Sequence, residues 1–404
     1  MHVAYYAPAW PAAGAANGIT TYVSAMRQAL LRGGHQVTVV SGGILYRGDD
    51  EAIDLHRPPA ARSSLIDRVR AYRDGRRGDL PLIGRQLARD MRAARQIAPF
   101  DLLEMEESFG WCRLVQHVLE APVITRLHGP HVLAPRAAQG LARAWRSRQR
   151  VAAEGRCVQA AAALSSPTAA TLAAVRSHYG RVCEPAVVIP NPGADNAAGH
   201  GWSSQSAERD TILFVGRFDW AKGADTLLAA FDRVAARRPD ARLTMIGPDN
   251  GMTAPDGAVL RFDDYAKRHL SASVRERITC TGVLSPAAIA EHRRNAFVTV
   301  IASRSENFPY AATEAMAAGC PLVATACAGC AEVIVDGVTG WLTPIGSAAA
   351  LAERIVWVLD HPEAAGAAGR AARERWLAQF APEPVGRRML AFYQDVVTSH
   401  APQR

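Results

Sequence analysis

Short apolar runs rich in β-branched residues alternate with stretches of helical character, and this alternation constrains the fold more than any other feature of the chain. A first series of runs begins near Val3, Val37, Asp101, Pro122, Ala163 and Val187. A second series begins at Ile212, Leu243, Ile278, Phe297 and Pro321. Apolar strands that alternate with helices are typical of parallel sheets buried on both faces. We therefore expect two doubly wound, Rossmann-like α/β units in tandem.

The chain of 404 residues suits two domains of roughly 200 residues each. A segment rich in Gly, Ser, Ala and Asn, without apolar periodicity, separates the two series of strands. We predict a first domain over residues 1–195, a linker over 196–210, a second domain over 211–380 and a last helix over 381–404. Because Met389, Leu390, Phe392 and Tyr393 form an apolar stripe, we expect the last helix to return to the first domain.

The composition is that of a soluble globular protein, with 49% apolar and 21% charged residues. The sequence has neither a long apolar run nor a start typical of a secretory signal. The seven cysteines are scattered, which argues against a disulfide framework. Cys327 and Cys330 form a CxxC without a second ligand pair at zinc spacing. We expect reduced thiols, a cytoplasmic location, and no metal or redox role for these cysteines.

The net charge of +8 comes almost entirely from arginine, because Lys222 and Lys267 are the only lysines. Arginines cluster from Arg62 to Arg95 and from Arg136 to Arg156. One interpretation is a set of solvated helix faces. The other is peripheral contact with the anionic inner face of the cytoplasmic membrane or with a phosphorylated substrate. We expect no nucleic-acid partner.

The first informative motif is ILFVGRFDWAKGADTLL, in which a predicted strand ends at Gly216. Arg217 follows, and Lys222-Gly223 precedes a predicted helix. Ligands of open α/β sheets bind beyond the carboxyl ends of the strands, where helix amino-termini favour anions. The motif therefore predicts a phosphate site, with a solvated surface cation as the alternative for Lys222.

The second motif is FVTVIASRSENFPYAATEAMAAGCPLVAT, which predicts a strand, a loop, and a helix from about Pro309 to a stop at Gly319. Glu306 then lies in the loop and Glu314 in the second helical turn. A carboxylate can accept two adjacent hydrogen bonds, which suits the vicinal hydroxyls of a ribose. The alternative is a capping role for Glu306 and a solvated Glu314.

Together these blocks resemble the signature of retaining glycosyltransferases of family 4. That family has the GT-B fold, in which two Rossmann-like domains face each other across a cleft. The resemblance rests on the GRxxxxKG motif and on the Glu-x7-Glu block followed by EAMAAGCP. It extends over nearly the whole chain through Asn17-Gly18, His128-Gly129, Pro190-Asn191, Asp195, Glu332 and Asp336-Gly337.

The resemblance implies roles for individual residues at a nucleotide-sugar donor. The implied contacts to the donor diphosphate are Gly18, Arg217, Lys222, Tyr310 and Ala311. The implied catalytic residues at the donor sugar are His128 and Glu306, supported by Asn307, Phe308 and Pro309. The implied nucleoside contacts are Glu314, Val283 and Leu284. Without the resemblance, a hydrogen-bonded turn or core histidine is the favoured interpretation of His128.

The acceptor is expected on the first domain, as a hydroxyl group of a glycan, a glycolipid or a small molecule. The residues predicted to contact it are Trp10, Glu104, Glu106, Trp111 and His131. We expect the acidic residues from Glu104 to Glu107 to follow a strand toward the cleft. The alternative is an ordinary strand edge with solvated carboxylates.

No Asp-x-Asp occurs in the chain, so we expect transfer that needs neither a metal ion nor another cofactor. Arginine, lysine and a helix amino-terminus would then stabilise the charge of the leaving diphosphate. UDP-sugars are favoured over GDP-sugars as donors. The alternatives are a nucleotide-sugar epimerase on a similar scaffold and a non-catalytic sugar-nucleotide-binding protein. A pyridoxal-phosphate phosphorylase is disfavoured because the chain has so few lysines.

Overall fold

The computed structural model describes residues 1–11, 17–48, 51–55, 77–133, 141–193, 201–253 and 258–400. They form two compact units. The first comprises Met1–Pro192 and Pro382–Arg404, and the second comprises Gly193–Ala381. Asp195 and the first part of the expected linker, residues 196–200, lie outside the described residues.

The strands and helices are numbered in chain order over the described residues. The strands are β1 (His2–Tyr6), β2 (Gln36–Ser41), β3 (Ile44–Arg47), β4 (Glu51–Asp54), β5 (Leu102–Glu106), β6 (Val123–Arg126), β7 (Ala163–Ser166), β8 (Ala186–Val188), β9 (Glu208–Val215), β10 (Arg242–Ile246), β11 (Met252–Thr253), β12 (Val259–Leu260), β13 (Ile278–Gly282), β14 (Ala296–Ile301), β15 (Leu322–Thr325) and β16 (Trp341–Thr343). The helices are α1 (Gly18–Arg32), α2 (Pro81–Ile97), α3 (Trp111–Gln116), α4 (Leu141–Ala160), α5 (Ala169–Tyr179), α6 (Ala224–Arg237), α7 (Phe262–His269), α8 (Ala272–Arg275), α9 (Pro286–Asn295), α10 (Tyr310–Ala318), α11 (Ala328–Val333), α12 (Ala348–Asp360), α13 (Pro362–Gln379) and α14 (Pro382–His400). Two short 3-10 turns cover Ser108–Gly110 and His131–Leu133.

The first unit is built on a sheet with the strand order β4-β3-β2-β1-β5-β6-β7-β8. Neighbouring strands in the part β2-β1-β5-β6-β7-β8 pair in parallel, which confirms the predicted parallel sheet. The other edge differs from the prediction, because β3 and β4 are antiparallel additions. Gly42 and Gly43 join β2 to β3 with positive φ angles of 56° and 79°. A two-residue turn with positive φ at both positions favours a tight hairpin.

The second unit has a sheet in the order β13-β10-β9-β14-β15-β16, and all its pairs are parallel. This is the doubly wound arrangement predicted from the second series of runs. The short β16 and the antiparallel hairpin β11-β12 were not predicted, because two or three residues give no readable pattern. The strand order reverses between β9 and β14, and ligands of open α/β sheets bind beyond the carboxyl ends of the strands at such a point.

The last helix, α14, packs in the core of the first unit. Met389 and Tyr393 of α14 are buried in one apolar cluster with Tyr5 of β1 and Tyr22 of α1. The apolar stripe read from the sequence is therefore the face of the helix that packs against the first unit. Burial of such a stripe stabilises a helix far more than its intrinsic propensity does.

A buried carboxylate, Glu104 of β5, connects α14 to the sheet. The hydroxyl of Tyr22 donates to Oε1 of Glu104 at 2.6 Å, and the hydroxyl of Tyr393 donates to Oε2 at 2.9 Å. Burial raises the pKa of Glu104, and the positive charge of Arg126 opposes that shift. The prediction that Glu104 and Glu106 follow the strand is wrong, since both lie within β5 and are buried.

The cysteines also differ from expectation at one place. The structure joins Cys112 of α3 and Cys157 of α4 in a disulfide, with 6.0 Å between their Cα atoms. Cys183, Cys280, Cys320, Cys327 and Cys330 are free thiols. Two helices that are distant in sequence bring the pair together, so its spacing of 45 residues gave no recognisable motif. Among the described residues, no helix is long and apolar enough to cross a membrane.

We predict that Tyr393→Phe destabilises the first unit. The change removes the hydroxyl that donates to buried Glu104 and that lies 3.0 Å from the Tyr5 hydroxyl. Loss of a hydrogen bond to a charged group costs about 1.5–3 kcal/mol, and urea unfolding followed by circular dichroism measures it. Tyr46→Phe is the control, because its hydroxyl makes only a 3.3 Å bond to a backbone carbonyl. Equal unfolding midpoints for the two variants would contradict this role of Glu104.

Candidate functional site

The loop after β9 is organised by an acid that sequence analysis did not single out. Asp219 accepts a hydrogen bond from Nε of Arg217 at 2.6 Å and another from the backbone amide of Lys222 at 2.8 Å. One carboxylate, which lies between them in the chain, thus holds the side chain of Arg217 and the backbone of Lys222. The only sequence signal for this role of Asp219 was its position between Arg217 and Lys222 in the RFDWAK segment.

Gly223 ends this loop and brings it against the loop that follows β14. Its φ angle is +65°, and a Cβ at this position would lie 1.9 Å from the carbonyl oxygen of Ala302. Only glycine tolerates both the conformation and the approach. The loops that carry Lys222 and Glu306 therefore lie side by side at the carboxyl ends of β9 and β14.

Lys222 and Glu306, predicted from separate motifs, form an ion pair. Nζ of Lys222 lies 2.6 Å from Oε1 of Glu306. The hydroxyl of Ser303 donates to the same oxygen at 2.7 Å. The Glu306 side chain is only 11% exposed and the Lys222 side chain 25%, so the pair is less screened than one at the open surface.

Helix α10 has the predicted bounds, with Pro309 before its first residue and Gly319 after its last at a φ angle of +72°. Glu314 lies in its second turn, as expected. The amide of Tyr310 donates to the carbonyl of Phe308 at 3.1 Å.

The residues just before α10 divide into buried and accessible positions. Phe308 and Pro309 are buried, and Phe308 packs in an apolar cluster with Ala312. Phe308 can therefore meet a ligand through its backbone only. Asn307 and Ala311 are half-buried and lie nearer the surface.

Glu314 has a buried partner that the sequence did not reveal. Nη2 of Arg293, on α9, donates to Oε2 of Glu314 at 2.8 Å. The Arg293 side chain is 1% exposed and the Glu314 side chain 20%. The run His292-Arg293-Arg294 looks like an ordinary basic helix end, so nothing in it marks Arg293 as buried.

The predicted nucleoside residues Val283 and Leu284 follow β13. Val283 is 63% exposed, whereas Leu284 packs against Leu213, Ile246 and Ala296. A cavity of about 270 Å³ lies at the same end of the sheet. Its lining includes Gly216, Phe218, Gly247, Arg261, Cys280 and Gly282. Val283 and Leu284 are not part of this lining, but Gly282 directly precedes them.

In the first unit, the placement of Gly18 corrects one prediction. Gly18 is the first residue of α1 and not part of a loop, and Asn17 caps this helix by accepting from the amide of Ile19 at 2.9 Å. The reason is the side chain of Asn17, since asparagine is among the preferred residues at this position. An anion at Gly18 would therefore meet the amino-terminus of a helix.

His128 follows β6 and is held in contact with Tyr22. The centroids of the two rings lie 4.9 Å apart at an interplanar angle of 71°. Burial, with the nearby charge of Arg126, lowers the pKa of His128 well below its ordinary value. The imidazole is therefore neutral near pH 7, so it can exchange hydrogen bonds with hydroxyl groups without carrying a charge.

The backbone around His128 is held by Glu107, which sequence analysis placed only within an acidic stretch. The amides of His128 and Gly129 donate to the two oxygens of Glu107, each at 2.8 Å. Burial raises the pKa of Glu107 to about 8, and the nearby carboxylates of Glu154 and Glu106 add to this shift.

The predicted acceptor residues are only partly accessible. Trp111 belongs to the core, where its Nε1 donates to the carbonyl of Asp79 at 3.1 Å. Glu106 is buried and accepts from the Ser108 hydroxyl at 2.8 Å. Trp10 and His131 are half-buried.

The two basic stretches lie partly outside the described residues, namely at 62–76 and 136–140. In the part that the structure describes, Arg146 and Arg148 of α4 are exposed beside Trp145. Within the described ranges, no three His, Cys, Asp or Glu side chains are grouped so as to hold a metal ion.

Two family models match the chain. The model described as "Glycosyl transferases group 1" matches residues 202–375, and the model described as "Glycosyltransferase Family 4" matches residues 16–192. A D-inositol 3-phosphate glycosyltransferase of Arthrobacter sp. strain FB24 is 26% identical over 384 residues, which is 90% of this chain and 86% of the relative.

Solved structures share the fold. Sucrose-phosphate synthase from Thermosynechococcus elongatus superimposes with a TM-score of 0.76 at 21% identity, over 98% of this chain and 99% of that chain. HepE from Anabaena, solved in complex with UDP-glucose, gives a TM-score of 0.66 at 16% identity, over 98% of this chain and 100% of that chain. The TM-scores show a shared fold, and at these identities the likeness extends to the fold alone.

We predict that the first unit loses stability as the pH rises toward 8. The pKa of Glu107 in the folded protein, about 8, exceeds its value of about 4.3 in an unfolded chain. Between these two pKa values the folded protein keeps a proton on Glu107 that the unfolded chain has lost. The free energy of unfolding therefore falls as the pH rises, by about 2 kcal/mol between pH 6 and pH 8.

Thermal unfolding across this pH range tests the prediction. Glu107→Gln should show a smaller loss between pH 6 and pH 8 than the wild type. Glu120→Gln, at an exposed position of the same unit, should keep the wild-type slope. A Glu107→Gln profile parallel to that of the wild type would contradict the assignment.

Proposed function

The chain belongs to the family 4 glycosyltransferases of the GT-B fold, and we propose that it transfers a hexosyl group from a nucleotide-diphosphate sugar to an acceptor hydroxyl. We further propose retention of the anomeric configuration and independence of metal ions. The main support is the contact between Lys222 and Glu306 at 2.6 Å. It joins a cation suited to a diphosphate with a carboxylate suited to sugar hydroxyls at one edge of the sheet.

In this proposal the diphosphate lies at the point where the strand order of the second unit reverses. Lys222 and Arg217 carry the positive charge there, and Asp219 fixes their loop. The first turn of α10, at Tyr310 and Ala311, adds the partial positive charge of a helix amino-terminus. Charge that develops on the leaving diphosphate is stabilised by groups already in place, which is an efficient form of catalysis.

The sugar and the nucleoside are assigned to the two carboxylates of the Glu-x7-Glu block. Glu306 accepts hydrogen bonds from sugar hydroxyls, and Glu314 accepts them from the ribose. His128, as a neutral imidazole, contacts the transferred sugar. In a front-face, retaining transfer the departing phosphate takes the acceptor proton, so the protein needs no general base. Nuclear magnetic resonance of the anomeric proton in the product distinguishes retention from inversion.

UDP-sugars are the first donors to test, followed by GDP-sugars. A protein of the same fold, HepE, has been solved with UDP and with UDP-glucose. The cavity of about 270 Å³ near Gly282 offers a place for the base beside the predicted nucleoside residues. Thermal-shift measurements with UDP, GDP, ADP and their common sugars identify the donor.

The acceptor is proposed to be a polyhydroxylated molecule, with phosphorylated compounds and anionic glycolipids screened first. The names of the Arthrobacter relative and of sucrose-phosphate synthase both refer to phosphorylated compounds. The exposed arginines beside Trp145 suit an anionic membrane surface as well. Trp10 and His131 are the proposed acceptor contacts that remain accessible.

We predict that Lys222→Met lowers kcat/KM by about ten- to hundredfold, because it removes a charged hydrogen-bond donor from the diphosphate. The rates are measured with the donor that the thermal-shift panel identifies. Lys267→Met is a matched control, since Lys267 is the only other lysine and is exposed on α7. If both variants turned over at the wild-type rate with a genuine donor, the assignment of the diphosphate site would be wrong.

We predict that chelation leaves turnover unchanged, because fixed cations and a helix amino-terminus replace a metal at the diphosphate. Rates are compared after dialysis against EDTA and after addition of magnesium or manganese. A reversible loss in EDTA that either ion restores would refute metal independence while leaving the transferase assignment intact.

A further inference from the structure

Arg293 is one of the largest fully buried side chains among the described residues, and its guanidinium contacts the proposed ribose ligand. It lies in the last turn of α9, with 1% of its side chain exposed. Its Nη2 donates to Oε2 of Glu314 at 2.8 Å. Arginine is almost never buried to this extent unless it is paired, so the pair with Glu314 is what permits its position.

Stability alone is a poor explanation for this ion pair. Removing a guanidinium from water costs several kcal/mol, and attraction to one carboxylate offsets that cost only when the geometry is good and the other donors are satisfied. Here Nε of Arg293 is buried without a hydrogen-bond partner. Apolar side chains of similar volume often stabilise such a position equally well. The pair therefore points to a role in orienting Glu314.

The geometry leaves one oxygen of Glu314 available. Arg293 approaches Oε2, whereas Oε1 accepts no hydrogen bond from the described residues. The Glu314 side chain remains 20% exposed, so the carboxylate is fixed on its buried side and open on its solvent side. A carboxylate held in one rotamer loses less conformational entropy when it binds a ligand.

The position of α9 adds a second link to the nucleoside. This helix begins at Pro286, directly after Val283 and Leu284, and Ser285 caps it. Arg293 thus connects the helix that follows the predicted nucleobase loop with the helix that carries the predicted ribose ligand.

We propose that Arg293 is a positioning residue for nucleoside recognition, which holds the Glu314 carboxylate so that its free oxygen accepts hydrogen bonds from the ribose hydroxyls. This inference rests on the proposed function, because it assumes that Glu314 binds the ribose. Arg293 acts through Glu314 and does not touch the ligand itself.

The experiment compares nucleotides that differ only at the ribose. Isothermal titration measures the Kd of UDP and of 2′,3′-dideoxy-UDP, with the corresponding GDP and ADP pairs as further arms. The wild type should bind one ribonucleotide about tenfold more tightly than its dideoxy counterpart, since the latter lacks hydrogen bonds to a charged group. In Arg293→Met this ratio should fall toward one, mainly through weaker binding of the ribonucleotide.

Matched variants separate positioning from general support of the fold. Arg294→Met changes the same charge at the next residue of α9, which is half-buried, and should keep the wild-type ratio. Arg293→Lys keeps the charge without the planar fork and should restore part of the ratio. It also provides the measurement if Arg293→Met does not fold. Adding Arg293→Met to Glu314→Gln should lower the ratio no further.

Several results would overturn the inference. One is equal weakening of the ribonucleotide and the dideoxynucleotide in Arg293→Met, because a merely structural residue would act in that way. Another is a wild-type ratio near one, since Glu314 would then not read the ribose at all. If the folded wild type bound no nucleotide of any kind, the proposed function would fail first, and this role of Arg293 would fail with it.

Discussion

The close approach of Gly223 to Ala302 is the constraint on which the candidate donor site depends. A Cβ at residue 223 would lie 1.9 Å from a backbone oxygen, so any other residue would push the two loops apart. Because these loops follow neighbouring strands, their contact places Lys222 beside Glu306 without a long connection. The packing of the backbone thus determines where these two charged side chains lie.

Buried polar side chains support the proposed ligand residues in each unit. In the first unit Glu107 holds the backbone around His128, and in the second unit Arg293 holds Glu314. A buried polar or charged group is tolerated only with a partner, so each of these contacts fixes a rotamer more firmly than an exposed pair would. Exposed pairs gain little because water and salt screen them. The residues that we propose as ligand contacts are therefore held in place by buried side chains.

Much of the fold was predictable because parallel strands buried on both faces leave a direct pattern in the sequence. The eleven apolar runs all became strands, and the helix from Tyr310 to Ala318 was bounded by Pro309 and Gly319 as expected. Short elements such as β16 were missed because three residues carry too little pattern. The antiparallel hairpin at Gly42-Gly43 was missed although its turn chemistry was visible.

The site was predictable only where neighbouring residues in sequence were also neighbours in space. Arg217 and Lys222 fall within one loop, and Glu306 and Glu314 fall within one block. Arg293 was missed because it meets Glu314 across two helices, and its basic neighbours gave it the pattern of a solvated helix end. Glu104 was misplaced because a carboxylate in an apolar strand suggests an exposed strand end.

The fate of the acidic residues from Glu104 to Glu107 explains why charge pattern alone misleads. Glu104 and Glu106 lie within a fully buried strand. Glu107 directly follows this strand and accepts hydrogen bonds from the backbone amides of His128 and Gly129. A carboxylate can be buried when neutral or cationic donors surround it, and tyrosine hydroxyls, serine and backbone amides supply them here. Ser108 directly follows this acidic stretch, but the other donors come from α1, from α14 and from the loop after β6, which lie far apart in the sequence. The function of an acidic residue in such a fold is therefore decided by the donors that tertiary packing brings to it.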